Sequence, residues 1–565
     1  MRKRKLFALG IAICMAASGL IGCSNSSDKA VGNTAAVNSE TEAVQNSEPV
    51  DPYGPVSDKA VTIHIGREES TDVTYPEGED SLSNYIVKYL QKQLNVEYVY
   101  DFSVDSATYT TKVNMAMASG EMPDVMVVNY AQMVQLQQAG AIEDMTDAYK
   151  TYASEKLKKC FASSNGISEQ LATIDGKMMA IPNIDCGMSG IPVLLVRGDW
   201  MDELGLTAPK NLDDIVNIVN TFKEKNPGGN VTTGLAVDSD IFQTNGGQYH
   251  LNALFGLYDS YPGFWLKNKD GKVEYGAVQE NTKTALAEIR KLVEQGVIDP
   301  SFVVRDWDSC SELVTSGQSG IFFGSWWSGQ WVVSMLEAAD DSVRWNMYIA
   351  PLDENDKLKT AAMSPTTAYI VVKKGALEDV KEAVVKTVNY QYDLDQDQAS
   401  TVRTNGMDTP FSWHYYPINT LHCDYDAKEK QIDAVMQCID GKVKYDDLNG
   451  DGKTWYNGYT KVLKDGFRAA VTDNVATANA WGWATGAWTV ESNKDLIQKV
   501  YAATYATTPS MQTGWTALDT MQKEIFLQIL TGEADISAFD EFVDNWYAQG
   551  GQNITDEVQA MADGK

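Results

Sequence analysis

The sequence predicts an α/β protein of more than one domain, and three observations predict it. The chain is 565 residues long, more than one ordinary hydrophobic core organises. Short apolar runs alternate with helix-period stretches, the βαβ rhythm of a largely parallel sheet with helices on both faces. At residues 317–331 a buried-strand pattern, Ile321-Phe322-Phe323 between glycines, empties into Ser325, Trp326, Trp327 and Trp331. Ligands sit at the carboxyl ends of strands in open α/β sheets. A tryptophan there offers a flat apolar face and one N–H donor, which suits a sugar ring. The other reading of these rings is core packing.

Taken in order, residues 1–22 form a targeting segment. Arg-Lys-Arg-Lys at 2–5 precedes an apolar run from Leu6 to Gly22, too short and one-sided for a membrane span. Leu20-Ile21-Gly22-Cys23 is similar to the lipobox of bacterial lipoproteins. That likeness implies cleavage before Cys23 and a diacylglycerol on its sulfur. One acyl chain holds a protein marginally and two or more anchor it. No other stretch reaches about 18 apolar residues. Residues 23–58, rich in Ser, Asn, Glu and Thr with Pro49, Pro52 and Pro55 near the end, predict a disordered tether.

The folded part starts near Val61, where Val61, Ile63 and Ile65 alternate with Thr62 and His64 as a first strand. A helix is expected from near Ser81, with Leu82, Ile86, Leu90 and Leu94 at helical spacing and Asn95 as its stop. Val125–Val128 reads as a strand ending at Asn129-Tyr130. Val193–Val196 is another, followed by Arg197-Gly198-Asp199-Trp200. Asp270-Gly271 marks a hairpin. Leu286, Ile289, Leu292 and Val293 form an amphipathic helix stopped by Gly296. The strand Tyr369–Val372 follows Met363-Ser364-Pro365-Thr366.

The net charge of −31 argues against nucleic acid, whose phosphates dominate affinity, and against a polyanionic ligand unless the site is locally basic. Of the seven cysteines, Cys14 leaves with the leader and Cys23 takes the lipid. Cys160, Cys186, Cys310, Cys423 and Cys438 remain without a CxxC pair, so no disulfide framework and no zinc site are expected. A single Cys423–Cys438 bridge is the alternative. G-x-S-x-G, H-E-x-x-H and P-loop signatures are missing. A pair of carboxylates for glycoside hydrolysis is not excluded by a sequence with 77 acids.

Met122-Pro123-Asp124-Val125, Arg197-Gly198-Asp199-Trp200, Gly296-Val297-Ile298-Asp299-Pro300 and the Ser316–Gly320 turn resemble, in this order, blocks of the family 1 extracellular solute-binding proteins of ABC importers. So do Phe539–Trp546, Gly550-Gly551 and Thr555-Asp556-Glu557-Val558. The resemblance covers residues 59–565 and matches the large lipoprotein branch. It implies a periplasmic-binding-protein type II-like fold: two α/β lobes, a hinge and an interlobe ligand cleft that closes by hinge bending. The expected first lobe is 59–189 with 364–420, and the larger, helix-rich second lobe 190–363 with 421–565. Crossings are expected near 185–192, 363–366 and 415–425. It further implies a receptor on the outer face of the cell membrane, one that is not an enzyme. Its partners would be ABC permease subunits with a separate ATPase, and it would act as a monomer. The expected ligand is an oligosaccharide. A secreted two-carboxylate hydrolase and a surface adhesion or sensory lipoprotein are the alternatives.

Candidate ligand contacts are the aromatic residues Trp326, Trp327, Trp331, Trp413, Trp481 and Trp483 and the polar strand-end residues Glu69, Asp105, Asn129 and Asp185. Trp481-Gly482-Trp483-Ala484-Thr485-Gly486-Ala487-Trp488 reads as a loop whose glycines leave the rings partly exposed. Trp200 and Trp265 lie in framework blocks and are assigned to packing. Asp447-Leu448-Asn449-Gly450-Asp451-Gly452-Lys453 fits the first half of an EF-hand loop, with oxygen ligands at Asp447, Asn449 and Asp451, the Lys453 carbonyl next and glycine at position six. Gly458 stands where the closing Glu belongs. A structural calcium ion and a plain polar turn are both open at this point, and no cofactor is required. A metal role for His414 with His422 ranks below ordinary hydrogen bonding.

Overall fold

The computed structural model describes residues 50–565 apart from 71, 72, 74, 245, 331–335, 337–339, 341, 397–400, 405–412, 472–474, 564 and 565. The targeting segment, Cys23, Trp331 and Phe411-Ser412 therefore lie outside the described residues. The strands that matter here are β1 (Val61–Glu69), β2 (Val96–Asp105), β3 (Val125–Val128), β4 (Ile181–Pro182), β5 (Pro192–Arg197), β6 (Ile321–Ser325), β7 (Trp345–Tyr348) and β8 (Tyr369–Val372). The helices are α1 (Tyr85–Leu94), α2 (Ser106–Ser119), α3 (Tyr130–Gln138), α4 (Ala427–Ile439), α5 (Gly450–Asp465), α6 (Val475–Glu491) and α7 (Pro509–Thr531). No helix among the described residues is long and apolar enough to cross a membrane.

The first sheet has the order β2-β1-β3-β8-β4. β1 pairs in parallel with β2 and β3, and β8 runs antiparallel to β3 and β4. Val61, Ile63 and Ile65 are buried and Thr62 and His64 exposed, so the period-two pattern of the sequence is the inner and outer face of β1. α1 starts at Tyr85 rather than near Ser81. Asp80 takes the N–H groups of Leu82 and Ser83 in a turn, and the Asn84 side chain caps the helix by accepting from Ile86 and Val87. Asn95 ends it in the left-handed region at φ 54°, as expected.

The second sheet has the order β6-β5-β7, antiparallel throughout. The Asp270-Gly271 hairpin forms between Trp265–Lys267 and Val273–Tyr275. Trp200 packs edge-on to Phe222 under the Arg197 guanidinium, and Trp265 against Tyr275.

Two large hydrophobic cores result, with two small clusters beside them. One takes its side chains from residues 61–184 and 369–425, the other from 186–358 and 432–558. The chain passes between them near 185, through 359–368 and through 426–431. Tyr425, read from sequence as part of the second lobe, packs in the first core.

Residues 50–58, expected in the tether, dock on the first core. Tyr53 stands edge-on to Tyr390 at 5.2 Å, and Val56 N–H donates to Leu94 O at 2.9 Å. Buried Asn389 and Lys386 donate to the carbonyls of Pro52 and Gly54 at 2.9 and 3.0 Å. The segment is held because two buried donors need acceptors; composition alone does not show that demand.

Candidate functional site

Strand register decides what faces what. Tyr369 pairs with Val128, so β8 enters the first sheet from the second passage beside the end of β3. Ser325 pairs with Pro192, so β6 ends where β5 leaves the first passage. The carboxyl ends of β1, β2 and β3 and the carboxyl end of β6 thus point toward the same passages from opposite lobes.

On the first lobe, Glu69, Asp105 and Asn129 stand at the ends of β1, β2 and β3. Glu69 accepts from Ser103 Oγ, and from Ser81 Oγ at 2.7 Å. The Ser103 bond foremost holds its carboxyl below the usual range, so it is ionised. Asp105 caps α2 by accepting from Thr108 N–H at 3.1 Å. Asn129 closes a capping box on α3 with Gln132. Buried Arg67 donates to the carbonyls of Ser81, His414 and Tyr416 at 2.6, 2.7 and 3.3 Å. This pulls residues 413–416 to the end of β1. Half-buried Trp413 lies there, stacked on His414 at 3.8 Å. Asp185 is apart from this group. It lies in the first passage and lines a cavity of about 330 Å³ with Asp395, Cys423, Lys428 and Asp451, where burial pushes its carboxyl up.

On the second lobe the tryptophans separate. Trp326 is 6% exposed, tilted against Trp455 at 5.7 Å and donating Nε1–H to Ser189 Oγ at 3.4 Å. It is a packing residue and not the cleft wall expected of it. Trp327 is half-buried, with part of its ring against the second core.

The expected Trp481–Trp488 loop is instead the middle of α6. A Cβ at Gly482 would run into Gly329 O, and one at Gly486 into Trp326 O. The glycines admit the backbone that follows β6 rather than loosening their own. Small residues define the packed face, so a search for large apolar residues at helical spacing missed the helix. At about 100° per residue, Trp481 and Trp483 project from different faces. Trp481 stacks on Tyr459 at 4.8 Å and lines a groove of about 910 Å³ with Arg344, Asn346, Tyr348 and Phe467. Trp483 is half-buried against the second core.

Three residues at the same end escaped the sequence reading. Ala236 bridges Phe322 in parallel and Gln248 bridges Gly324, which places Asp238 and Gln248 beside the end of β6. Asp238 is 5% exposed. Burial, with Asp240 adding to it, pushes its carboxyl up to about 7. Trp307 opens the helix Trp307–Thr315 that leads into β6, capped by Asp306, and donates Nε1–H to Gln248 Oε1 at 3.2 Å. The signal was present as an Asp-Trp cap before an amphipathic helix. Next to them a cavity of about 510 Å³ is lined by Asp240, Phe242, Gln243, Trp515, Asp519 and Lys523. α7, which carries Trp515, touches the first lobe where Gln135 Nε2 donates to Gln512 Oε1 at 2.9 Å. Carboxylates, amides and aromatic faces in such a site orient hydroxyl-bearing ligands.

The segment 447–453 is built as a turn and a helix start. Asn449 caps α5, its Oδ1 accepting from Gly452 N–H at 2.6 Å. Asp451 pairs with Lys428 Nζ at 3.0 Å, Asp447 closes a 3-10 turn, and Lys453 Nζ lies over the Tyr445 ring at 5.8 Å. A helix start uses the same side-chain oxygens that an ion would. Gly458, at the position of the closing Glu, sits inside α5 against Ala480. Among the described residues no group of three or more His, Cys, Asp or Glu is placed to hold a metal ion. His414 stacks on Trp413, and His422 meets Thr420 Oγ1 at 2.9 Å.

Two α/β lobes with opposed strand ends across shared passages define a two-lobed binding protein. A family description, bacterial extracellular solute-binding protein, matches residues 75–397, and the chain belongs to that family. This places it among binding proteins and not enzymes. Lipoprotein LipO of Bacillus subtilis (strain 168) is 22% identical over 494 residues, 84% of this chain and 87% of LipO. The polygalacturonan/rhamnogalacturonan-binding protein YtcQ of the same strain is 22% identical over 487 residues, again 84% and 87%. The fructooligosaccharide ABC transporter substrate-binding protein FusA of Streptococcus pneumoniae serotype 4 (strain ATCC BAA-334 / TIGR4) is 27% identical over 260 residues, 43% of this chain and 47% of FusA. A solved structure of a FusA EF-hand mutant with fructo-nystose shares the fold at TM-score 0.57 and 16% identity, over 89% of this chain and 99% of that one.

Proposed function

We propose that the protein is a lipid-anchored receptor on the outer face of the cell membrane. It captures an oligosaccharide between its two lobes and hands it to an ABC permease driven by a separate ATPase. The observation that carries this reading is the opposition of strand ends: Glu69, Asp105 and Asn129 on one lobe, Trp327, Trp307 and the Trp515-lined cavity on the other. Indole faces take the C–H faces of sugar rings, and carboxylates and amides orient the hydroxyl rim. Capture works by closure, because a ligand stabilises the closed state only through contacts with both lobes. The passages near 185, 359–368 and 426–431 are the hinge. Relatives named for fructooligosaccharides and for polygalacturonan/rhamnogalacturonan support the ligand class, and a relative named as a lipoprotein supports the anchor at Cys23. The reading requires no cofactor and one copy of the chain.

The test is a thermal-shift screen against oligosaccharides with recovery of the sugar. A binder at 100 times its dissociation constant adds about 2.7 kcal/mol. A shift with one oligosaccharide family, the sugar recovered intact, is the expected result. No shift with any sugar but a shift with peptides overturns the ligand class, and shortened sugars overturn the receptor reading.

A further inference from the structure

Tyr425 is the last residue of the first core before the third passage, and it makes contact with the other two. Its carbonyl accepts from the N–H of Gly187, just beyond Asp185 in the first passage, at 2.8 Å. Its hydroxyl donates to Met363 O in the second passage at 3.3 Å. Its own N–H donates to Ser163 Oγ at 2.8 Å, which fixes it to the carboxyl end of the helix Glu155–Ser163 on the first lobe. The ring lies against Gly187, where a Cβ would stand 2.3 Å from Tyr425 Cζ. Only a residue without a side chain admits that approach. Lys499 Nζ stands 5.8 Å from the centroid of the same ring. Lys499 belongs to the strand Ile497–Val500, which pairs in parallel with Leu358–Ala361 at the start of the second passage. Its ammonium also lies 3.6 Å from Glu429 of the third passage. Tyr425 is buried, and burial pushes its hydroxyl up, so the group stays a donor.

We infer that Tyr425 is the pin of the hinge: at one buried point it fastens the first and second passages to the start of the third, so that the three flex as a unit. The inference rests on the proposed function only in calling the passages a hinge. Three connections that move separately let two lobes twist and slide as well as bend. Fastened at one point, they leave bending about that point as the main freedom. Other bonds join the first passage to the second alone. Asp185 N–H donates to Pro365 O at 2.9 Å, and Thr360 Oγ1 donates to Gly190 O at 3.0 Å. Tyr425 brings the third passage into that pair. Its carbonyl and ring meet the first passage, and its hydroxyl is its direct bond to the second.

Amide hydrogen exchange on the full chain, read by peptide mass spectrometry, tests the pin with no ligand present. A failed sugar screen therefore leaves the pin standing, and a failed pin leaves the receptor reading standing. Tyr425→Phe keeps the ring and removes the hydroxyl bond. The reporters are bonded amides: Asp185 and Gly187 in the first passage, Ala362 in the second, whose N–H donates to Val500 O at 2.8 Å, and Cys423 beside the third, whose N–H donates to Ile184 O at 3.1 Å. Exchange in all three peptide groups, 184–190, 359–366 and 422–431, is expected to speed about fivefold, the weight of one ordinary hydrogen bond. Peptides of β3 and β5 are expected to keep their rates. Gly187→Ala, which drives the ring away from the first passage, is expected to speed the same three groups. Faster exchange confined to 359–366 in Tyr425→Phe, or to 184–190 in Gly187→Ala, overturns the coupling. Unchanged exchange in Tyr425→Phe overturns the hydroxyl as the link to the second passage. Faster exchange that extends through β3 and β5 makes Tyr425 an ordinary core residue and overturns the pin.

Discussion

Trp326 and Trp327 are adjacent in the sequence and opposite in consequence. One ring fills the space between Trp455 and the first passage; the other is half-buried against the second core. Trp326→Ala is expected to cost about 3 kcal/mol or more in urea unfolding, the range for large aromatic truncations in cores. Trp327→Ala is expected to keep that stability and to weaken oligosaccharide binding at least tenfold, about 1.4 kcal/mol. Calorimetry on both variants separates the roles, and equal unfolding losses would remove Trp327 from the site. Asp238 makes a different prediction. Its carboxyl is pushed up from 3.8 to about 7, so the fold favours the neutral acid. That contribution is complete below about pH 3.8 and is lost as the pH rises to about 7. Asp238→Asn keeps a neutral group throughout. It is expected to melt several degrees above the parent at pH 8 and alongside it near pH 4; melting curves at both values check the sign. No motif marked Asp238, because the largest cause of its shift is burial beside β6, to which its neighbour Asp240 adds.

At the scale of elements, α6 shows why pattern reading has a blind side. Helical periodicity is usually sought in large apolar residues, whereas this helix is organised by what it lacks. Gly482 and Gly486 let the chain after β6 lie against its axis. Gly486→Val should therefore force that backbone away and destabilise the second lobe by about 1–3 kcal/mol, read as a shifted denaturant midpoint. A normal midpoint would mean the two elements are not in contact. The N-terminus of α5 teaches the converse. Asp447–Lys453 has the spacing of half a calcium loop, and the fold spends its Asn449 oxygen on a cap instead. Asn449→Ala is expected to cost about 1 kcal/mol, and EDTA to leave the melting temperature unchanged. A drop on chelation would overturn the cap as the role of this segment. β1, β3, β6 and α1 were legible because each needs only a local period and a local stop signal.

For the whole molecule, the proposed capture depends on two main cores that stay distinct. On the proposed function, the passages between them act as the hinge, and the strand ends of both sheets address the space beside it. A bound oligosaccharide should draw the lobes together, but the first question is where the molecule sits. Cys23→Ala is expected to shift the protein from the membrane fraction to the medium, followed by fractionation and labelling with a fatty acid. Retention on the membrane without label would remove the lipid anchor from the proposed function.

The sequence by itself determined the α/β class, several individual strands and the resemblance that family membership then bore out. These are local or ordered signals: a period of two or 3.6, a stop residue, a run of charge. Tertiary structure alone decided that Trp326 is core, that 481–488 is helix, and that Asp238, Gln248 and Trp307 join the end of β6. Each of those depends on which distant segment lies across the way. Burial and register are properties of pairs of segments, and no single segment records its partner.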